Sequence, residues 1–213
     1  MEPEDKSILA AIYASTLDPS VSAYDRLRAR LPVGKKFFES RINHLVSLGM
    51  VEGEERKGIL TPKLTFIGRD ALKVVFVGGV FDLIHPGHIH TLKAAKEVGD
   101  VLVVVIARTA TALKIKKDRK IYHDENLRKE LVESLSFVDL ALIGREGTLY
   151  DTVEFVRPDV IALGYDQAHS EKDVAENCKK RNLNVQVIRL STPIPGSKSS
   201  KMKEELGDAI YGI

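Results

Sequence analysis

One stretch of the chain has the residue types and spacing to do chemistry: Gly78-Gly79-Val80-Phe81-Asp82-Leu83-Ile84-His85-Pro86-Gly87-His88. Two glycines end a β-branched run and let the backbone pass close to a ligand. Pro86 suits the first turn of a helix, where its missing N–H is no loss. His85 and His88, three apart, share one face at the start of that helix. Unpaired N–H groups and the positive end of the helix dipole gather there and favour an anion. Imidazoles at such a point donate hydrogen bonds to phosphate oxygens and stabilise charge that grows during phosphoryl transfer. The plainer reading is a histidine pair that only caps or packs the helix start.

Four further blocks follow in order. Lys114-Ile115-Lys116-Lys117 comes after a second apolar run, and Glu125-Asn126-Leu127-Arg128-Lys129-Glu130 comes next. Pro158-Asp159 leads through Val160 to Leu163 into Gly164-Tyr165-Asp166-Gln167. Gly196-Ser197-Lys198-Ser199-Ser200-Lys201 opens a last helical pattern. Together with the histidine stretch they resemble the H-x-G-H nucleotidyltransferase superfamily that includes the cytidylyltransferases, from Lys73 to about Leu206. Within it, Leu163 to Gln167 and Val104 to Arg108 look most like the archaeal FAD synthases, which transfer AMP from ATP to FMN. The chain departs from that pattern at Thr109, where an Asp is usual, and at Lys198, where Ser or Thr is usual.

The resemblance implies in-line attack by an acceptor phosphate on the α-phosphorus of a nucleoside triphosphate, with pyrophosphate leaving. It implies that His85 and His88 meet the α-phosphate and the bridging oxygen. Lys114 and Lys117 would neutralise the phosphates or the acceptor, and Arg128 would do the same or brace a loop. Gly79, Val80 and Phe81 would line the nucleotide pocket. Gly164, Asp166 and Gln167 would lie by the base and ribose, and Ser199 and Ser200 would hold the outer phosphates. Mg²⁺ is expected on substrate oxygens rather than in a protein cage. Each residue also has a bland reading: surface lysines, an Arg128 ion pair with Glu125 or Glu130, serines as helix caps, Asp166 shaping a turn. A CTP-dependent enzyme acting on glycerol 3-phosphate shares the blocks. Its strand end usually carries an aromatic where Gln167 stands, and this chain has no Trp. A regulator that binds DNA and senses a nucleotide or flavin is the competitor from another class.

Such a site needs elements to position it. After residue 72 apolar runs alternate with helical patterns: Lys73–Val77, Val101–Ala107, Ala141–Ile143, Val160–Leu163 and Val185–Leu190 read as strands. Helical patterns at about Gly87–Glu97, Asn126–Leu135, Leu149–Val156, Lys172–Arg181 and Ser199–Ile210 separate or follow them. The expected fold is α/β, a Rossmann-like parallel five-stranded sheet with helices on both faces, over residues 73–213. Before it, Ile8 to Tyr13, Tyr24 to Leu31 and Phe37 to Leu48 recur at helical spacing. Met50-Val51 and Leu64 to Ile67 suggest short strands around a charged turn, Glu52 to Gly58. Residues 1–72 therefore read as a small winged helix-turn-helix domain, with Lys35, Lys36, Arg41, Asn43 and His44 on the candidate recognition helix and Arg56 and Lys57 at the wing. DNA binding, dimerisation and packing on the second module all stay open for it.

Composition sets the outer limits. The 213 residues are 44% hydrophobic and 29% charged, with net charge +2. That is ordinary for a globular chain and gives no strong footprint for nucleic acid or membrane. Residues 1–73 hold twelve basic and ten acidic side chains. The single cysteine, Cys178, excludes a disulfide framework within the chain. No apolar run approaches the roughly 20 residues of a membrane span. The acidic start is wrong for a signal peptide, so a cytoplasmic protein is expected.

Overall fold

The computed structural model describes residues 1–56, 59–115, 121–165 and 167–191. The chain opens with α1 (Pro3–Leu17), α2 (Ala23–Arg28) and α3 (Lys35–Ser47), followed by an antiparallel ribbon of β1 (Val51–Arg56) and β2 (Ile59–Leu64). α1 buries Ile8, Leu9, Ile12 and Tyr13. α3 answers with Phe38, Ile42 and Leu45, one narrow stripe at spacings of four and three. Arg41 does not face outward as a recognition group. Its guanidinium holds the buried carboxylate of Asp5 at 2.5 and 2.9 Å and ties α3 to α1.

Two expectations fail here. Glu52 to Arg56 is strand rather than turn, and Phe66 and Ile67 are not strand but α4 (Phe66–Asp70). The reason is local. The Thr65 hydroxyl accepts from Gly68 N–H at 3.2 Å and donates to Gly49 O at 2.6 Å. That helix cap outcompetes the β preference of the Leu-Thr-Phe-Ile run.

The second part is a five-stranded parallel sheet in the order β5-β4-β3-β6-β7. Its strands are β3 (Val74–Gly79), β4 (Val101–Ile106), β5 (Leu140–Ile143), β6 (Val160–Leu163) and β7 (Gln186–Arg189). The connecting helices are α5 (Pro86–Lys96), α6 (Thr109–Ile115), α7 (Glu125–Glu133), α8 (Leu149–Val156) and α9 (Glu171–Lys180). Alternate side chains of each strand enter opposite layers. Val75, Val77, Leu102 and Val104 pack with Leu92 and Ala95 of α5 and Val132 of α7. Phe76, Val103 and Ile161 pack with Val153 and Val156 of α8 and Val174 of α9. The chain therefore winds over one face from β3 to β5 and over the other from β5 to β7. The switch point lies between β3 and β6, where such sheets open a ligand crevice at the carboxyl ends of the strands.

The N-terminal elements dock at the opposite end of the sheet, where the strands begin. An aspartate directly precedes each of β4, β5 and β6 and stitches the edge. Asp100 accepts from Lys73 N–H at 2.8 Å, Asp139 from Leu102 N–H at 2.6 Å, and Asp159 from Val74 N–H at 2.6 Å. Each also takes a cation from the first 72 residues: Lys6 on Asp100 at 2.7 Å, Arg30 on Asp139, and Arg69 on Asp159 at 3.0 Å. The Tyr13 hydroxyl donates to Val156 O at 2.5 Å, and burial raises its pKa. The apolar side chains of α1 to α3 are continuous with the α8/α9 face of the sheet. Among the described residues, no helix is long and apolar enough to cross a membrane.

Candidate active site

The stretch leaving β3 is shaped by a conflict that the backbone resolves. Phe81 sits at φ +52°, a left-handed conformation that costs a non-glycine residue of order 1 kcal/mol or more. The return is a buried ring folded back over Gly79, so close that a Cβ there would lie 2.6 Å from Phe81 Cε2. The same ring lies 5.3 Å from that of His88. His85 follows as the N-cap of α5, with Pro86 at the first helical position. The imidazoles of His85 and His88 stack with centroids 3.9 Å apart and planes 30° apart. His85 is 8% exposed and His88 half-buried. Two ring systems able to donate hydrogen bonds thus meet at a helix N-terminus, at the carboxyl end of a central strand.

Asp82 anchors this loop to its neighbour and was missed as a functional position in the sequence. Its buried Oδ1 accepts from Tyr122 N–H and His123 N–H, both at 3.0 Å, and His123 Nδ1 lies 3.0 Å from Asp82 O. The available signal was an acid inside an otherwise apolar strand-to-helix turn.

Arg128 is fully buried, and four of its five N–H donors are spent on protein groups. Nε donates to His123 O at 3.0 Å, Nη1 to Val80 O at 2.7 Å and Ala107 O at 2.8 Å, and Nη2 to the Thr109 hydroxyl at 3.1 Å. Of the two roles expected for Arg128, the geometry supports bracing rather than contact with substrate phosphates. Burial lowers its pKa, and the carboxylates of Asp82, Glu125 and Asp124 oppose that shift. Thr109, at the position where the family usually has Asp, donates to Glu125 Oε2 at 2.5 Å while accepting from Arg128. That bond holds the Glu125 carboxyl below its ordinary range.

Lys114 lies exposed in the last turn of α6, a helix the sequence had not suggested. Gly164 and Gln167 flank the turn after β6, and Gln167 Nε2 donates to Gly78 O at 2.6 Å. Arg189, also missed, closes that turn. It donates to Gly164 O at 2.9 Å, Gln167 O at 3.1 Å and His169 O at 2.5 Å, and pairs with Glu171 at 2.8 and 2.9 Å. A charge inside the mostly apolar run Val185 to Leu190 was its signal. Lys117, Asp166, Ser199 and Ser200 lie outside the described residues. The structure thus brings Gly79, Val80, Phe81, His85, His88, Gly164 and Gln167 to the carboxyl ends of β3 and β6.

Comparison with known proteins agrees with this geometry. A family model described as cytidylyltransferase-like matches residues 76–205. A protein named FAD synthase from Aciduliprofundum boonei is 48% identical over 116 residues, 54% of this chain and 76% of that one. One from Pyrococcus horikoshii is 43% identical over 125 residues, 58% and 84% of the two chains. Among solved structures, a protein titled a lipopolysaccharide core biosynthesis protein from Thermoplasma volcanium superposes with TM-score 0.55 at 41% identity, covering 58% of this chain and 99% of that one. A pantoate-beta-alanine ligase from Francisella tularensis, at TM-score 0.50 and 19% identity over 67% of this chain and 71% of its own, shares the fold. The histidine pair, its bracing arginine and the parting of β3 from β6 are the framework of a nucleotidyltransferase, and the chain belongs to the cytidylyltransferase-like family.

Proposed function

We propose that the protein is an FMN adenylyltransferase: it joins AMP from ATP to FMN and releases pyrophosphate. The observation that carries this reading is the stacked His85–His88 pair at the start of α5, beside the opening between β3 and β6. The relatives named FAD synthase supply the substrate pair. A phosphate oxygen of FMN attacks the α-phosphorus of ATP. The bond from that phosphorus to the bridging oxygen breaks, and pyrophosphate leaves with the electron pair. His85 and His88 hold the α-phosphate and the bridging oxygen and stabilise the charge that builds there. Backbone groups of Gly79 to Phe81 line the nucleotide, and Lys114 and Lys117 neutralise phosphate charge. Asp166 takes the ribose side, and Ser199 and Ser200 take the outer phosphates. Positioning and charge neutralisation supply most of the rate.

Among the described residues no group of three or more His, Cys, Asp or Glu is placed to hold a metal ion. Among the described residues beside the histidine pair, Asp82 already accepts two amides on Oδ1. Mg²⁺ would ride on the nucleotide's own oxygens, and no step here depends on a protein-held ion.

Incubation of the chain with ATP or CTP, Mg²⁺, and FMN or glycerol 3-phosphate, followed by pyrophosphate detection, tests the reading. Turnover with ATP and FMN is expected. Turnover only with CTP replaces the substrate assignment, and turnover on no pair favours the sensing regulator.

A second reading concerns α3. It buries only Phe38, Ile42 and Leu45 and leaves Lys35, Lys36, Asn43 and His44 exposed, which supports a duplex-DNA contact. The pairing of Arg41 with Asp5 removes one of its expected contacts. A mobility shift with the whole chain across a salt series tests it; no binding at low salt overturns it.

A further inference from the structure

Backbone groups of β3 face its two neighbours in turn. Gly79 O accepts from Ala107 N–H on the β4 side, so Gly78 O faces β6. Leu163 O accepts from Leu190 N–H on the β7 side, so Gly164 N–H faces back toward β3. Yet the β3–β6 register runs only through Val75↔Val160 and Phe76↔Ile161, while β3 stays paired with β4 as far as Gly79↔Ile106. Where the strands part, Gly78 O and Gly164 N–H are an acceptor and a donor facing one gap.

The carboxamide of Gln167 fills it. Nε2 donates to Gly78 O at 2.6 Å, and Oε1 accepts from Gly164 N–H at 3.2 Å. Only this orientation satisfies both partners, since the flipped amide would set a donor against a donor. The backbone beneath is fixed as well. Gln167 N–H donates to Gly164 O, and Arg189 donates to the carbonyls of both residues. Both polar ends of Gln167 are thus held by protein groups, with one N–H and one lone pair left over.

We propose that Gln167 is a positioning residue, a side-chain rung that replaces the missing backbone rung where β3 and β6 separate. It rests on the nucleotidyl-transfer reading and deepens it. The β3 end leads to Gly79, Phe81 and the histidine pair, and the β6 end leads to the turn on the nucleoside side. The rung sets the spacing between them, so that a seated nucleoside delivers its α-phosphate onto His85 and His88. Misplacement by about 1 Å costs about 10²-fold in rate without abolishing ground-state binding.

The experiment uses the whole chain with Gln167→Ala and Gln167→Glu. Steady-state pyrophosphate release gives kcat and KM for ATP, the ATP-to-CTP preference and a pH profile; hydrogen exchange reads the Gly164 amide. Both variants are expected to lose about 10- to 100-fold in kcat, with KM and nucleotide preference nearly unchanged and with faster exchange at Gly164 in Gln167→Ala. Gln167→Glu is isosteric but lacks the donor at neutral pH. Its activity should recover toward acid, where the introduced carboxyl gains a proton to donate to Gly78 O, a response that a merely structural role would not give. A rise in KM or a change in ATP-to-CTP preference at unchanged kcat would mean base contact and overturn the proposal. Unchanged exchange at Gly164 in Gln167→Ala overturns it too. Failure of the wild type on every substrate pair, with the exchange difference intact, overturns the transfer reading instead and leaves the rung standing.

Discussion

At the scale of single residues, the proposed function divides the site into groups that meet the substrate and groups that hold them there. His88 belongs to the first kind. His88→Ala is expected to lower kcat by about 10²–10³-fold at an unchanged melting temperature; near wild-type turnover would refute its role. Arg128 belongs to the second kind. Replacing its planar fork by Lys leaves the part-buried carbonyls of Val80, Ala107 and His123 short of donors. Arg128→Lys should therefore cost about 2–3 kcal/mol in urea denaturation, with activity lost through folding; full stability with low kcat would return Arg128 to the substrate. Gly79→Ala is a third case. The added Cβ would meet the Phe81 ring at 2.6 Å, push it toward His88 and lower kcat/KM.

At the scale of elements, the turn after β6 is held by one ion pair and a fan of carbonyl contacts. Hydrogen bonds from Arg189 pull the Glu171 carboxyl from 4.5 to about 2. The folded value lies below the unfolded one, so the contribution to stability is complete above about pH 4.5 and is lost as pH falls through 2. The pair is half-exposed, and its effect is screened and local. Arg189→Leu should lower the hydrogen-exchange protection around Gly164 at neutral pH and abolish any further loss of protection between pH 4.5 and 2. Exchange that stays slow in the variant would show that the backbone alone fixes the turn. Sequence patterning made α8 and β6 legible to the residue, because strong apolar periodicity needs no partner to be read. It misplaced β2 and α4, because the competition between Thr65 as a cap and Phe66 as a strand residue is settled by Gly49 O and Gly68 N–H, which are remote from any hydropathy pattern.

At the scale of the whole molecule, chemistry and docking occupy opposite ends of one sheet. The histidine pair stands beyond the carboxyl end of β3. Residues 1–72 grip the other end through Asp100, Asp139 and Asp159. Asp139 carries the most, accepting from Leu102 N–H, Lys96 and Arg30. Asp139→Ala is expected to cost about 1–3 kcal/mol because it leaves the Leu102 amide unpaired and takes the carboxylate from Lys96 and Arg30, while kcat per folded molecule stays unchanged. Loss of turnover at full stability would show that the two ends are coupled. Burial pushes the Asp100 carboxyl up, but hydrogen bonds from Lys6 and Lys73 N–H, with the charges of Lys6 and Lys96, hold it below its ordinary range. Its part of the docking is therefore present above that range and lost toward acid.

The sequence by itself determined the alternation of strands and helices, the order of the five motif blocks and the histidine pair at the first helix start. Each of these is written in local spacing and residue type. Only the tertiary structure decided that Arg128 donates to the carbonyls of Val80, Ala107 and His123, that Gln167 spans two strands, and that three aspartates dock the N-terminal elements. Those roles depend on which distant backbone groups are left without partners, and that is fixed where strands part or begin, not by neighbours along the chain.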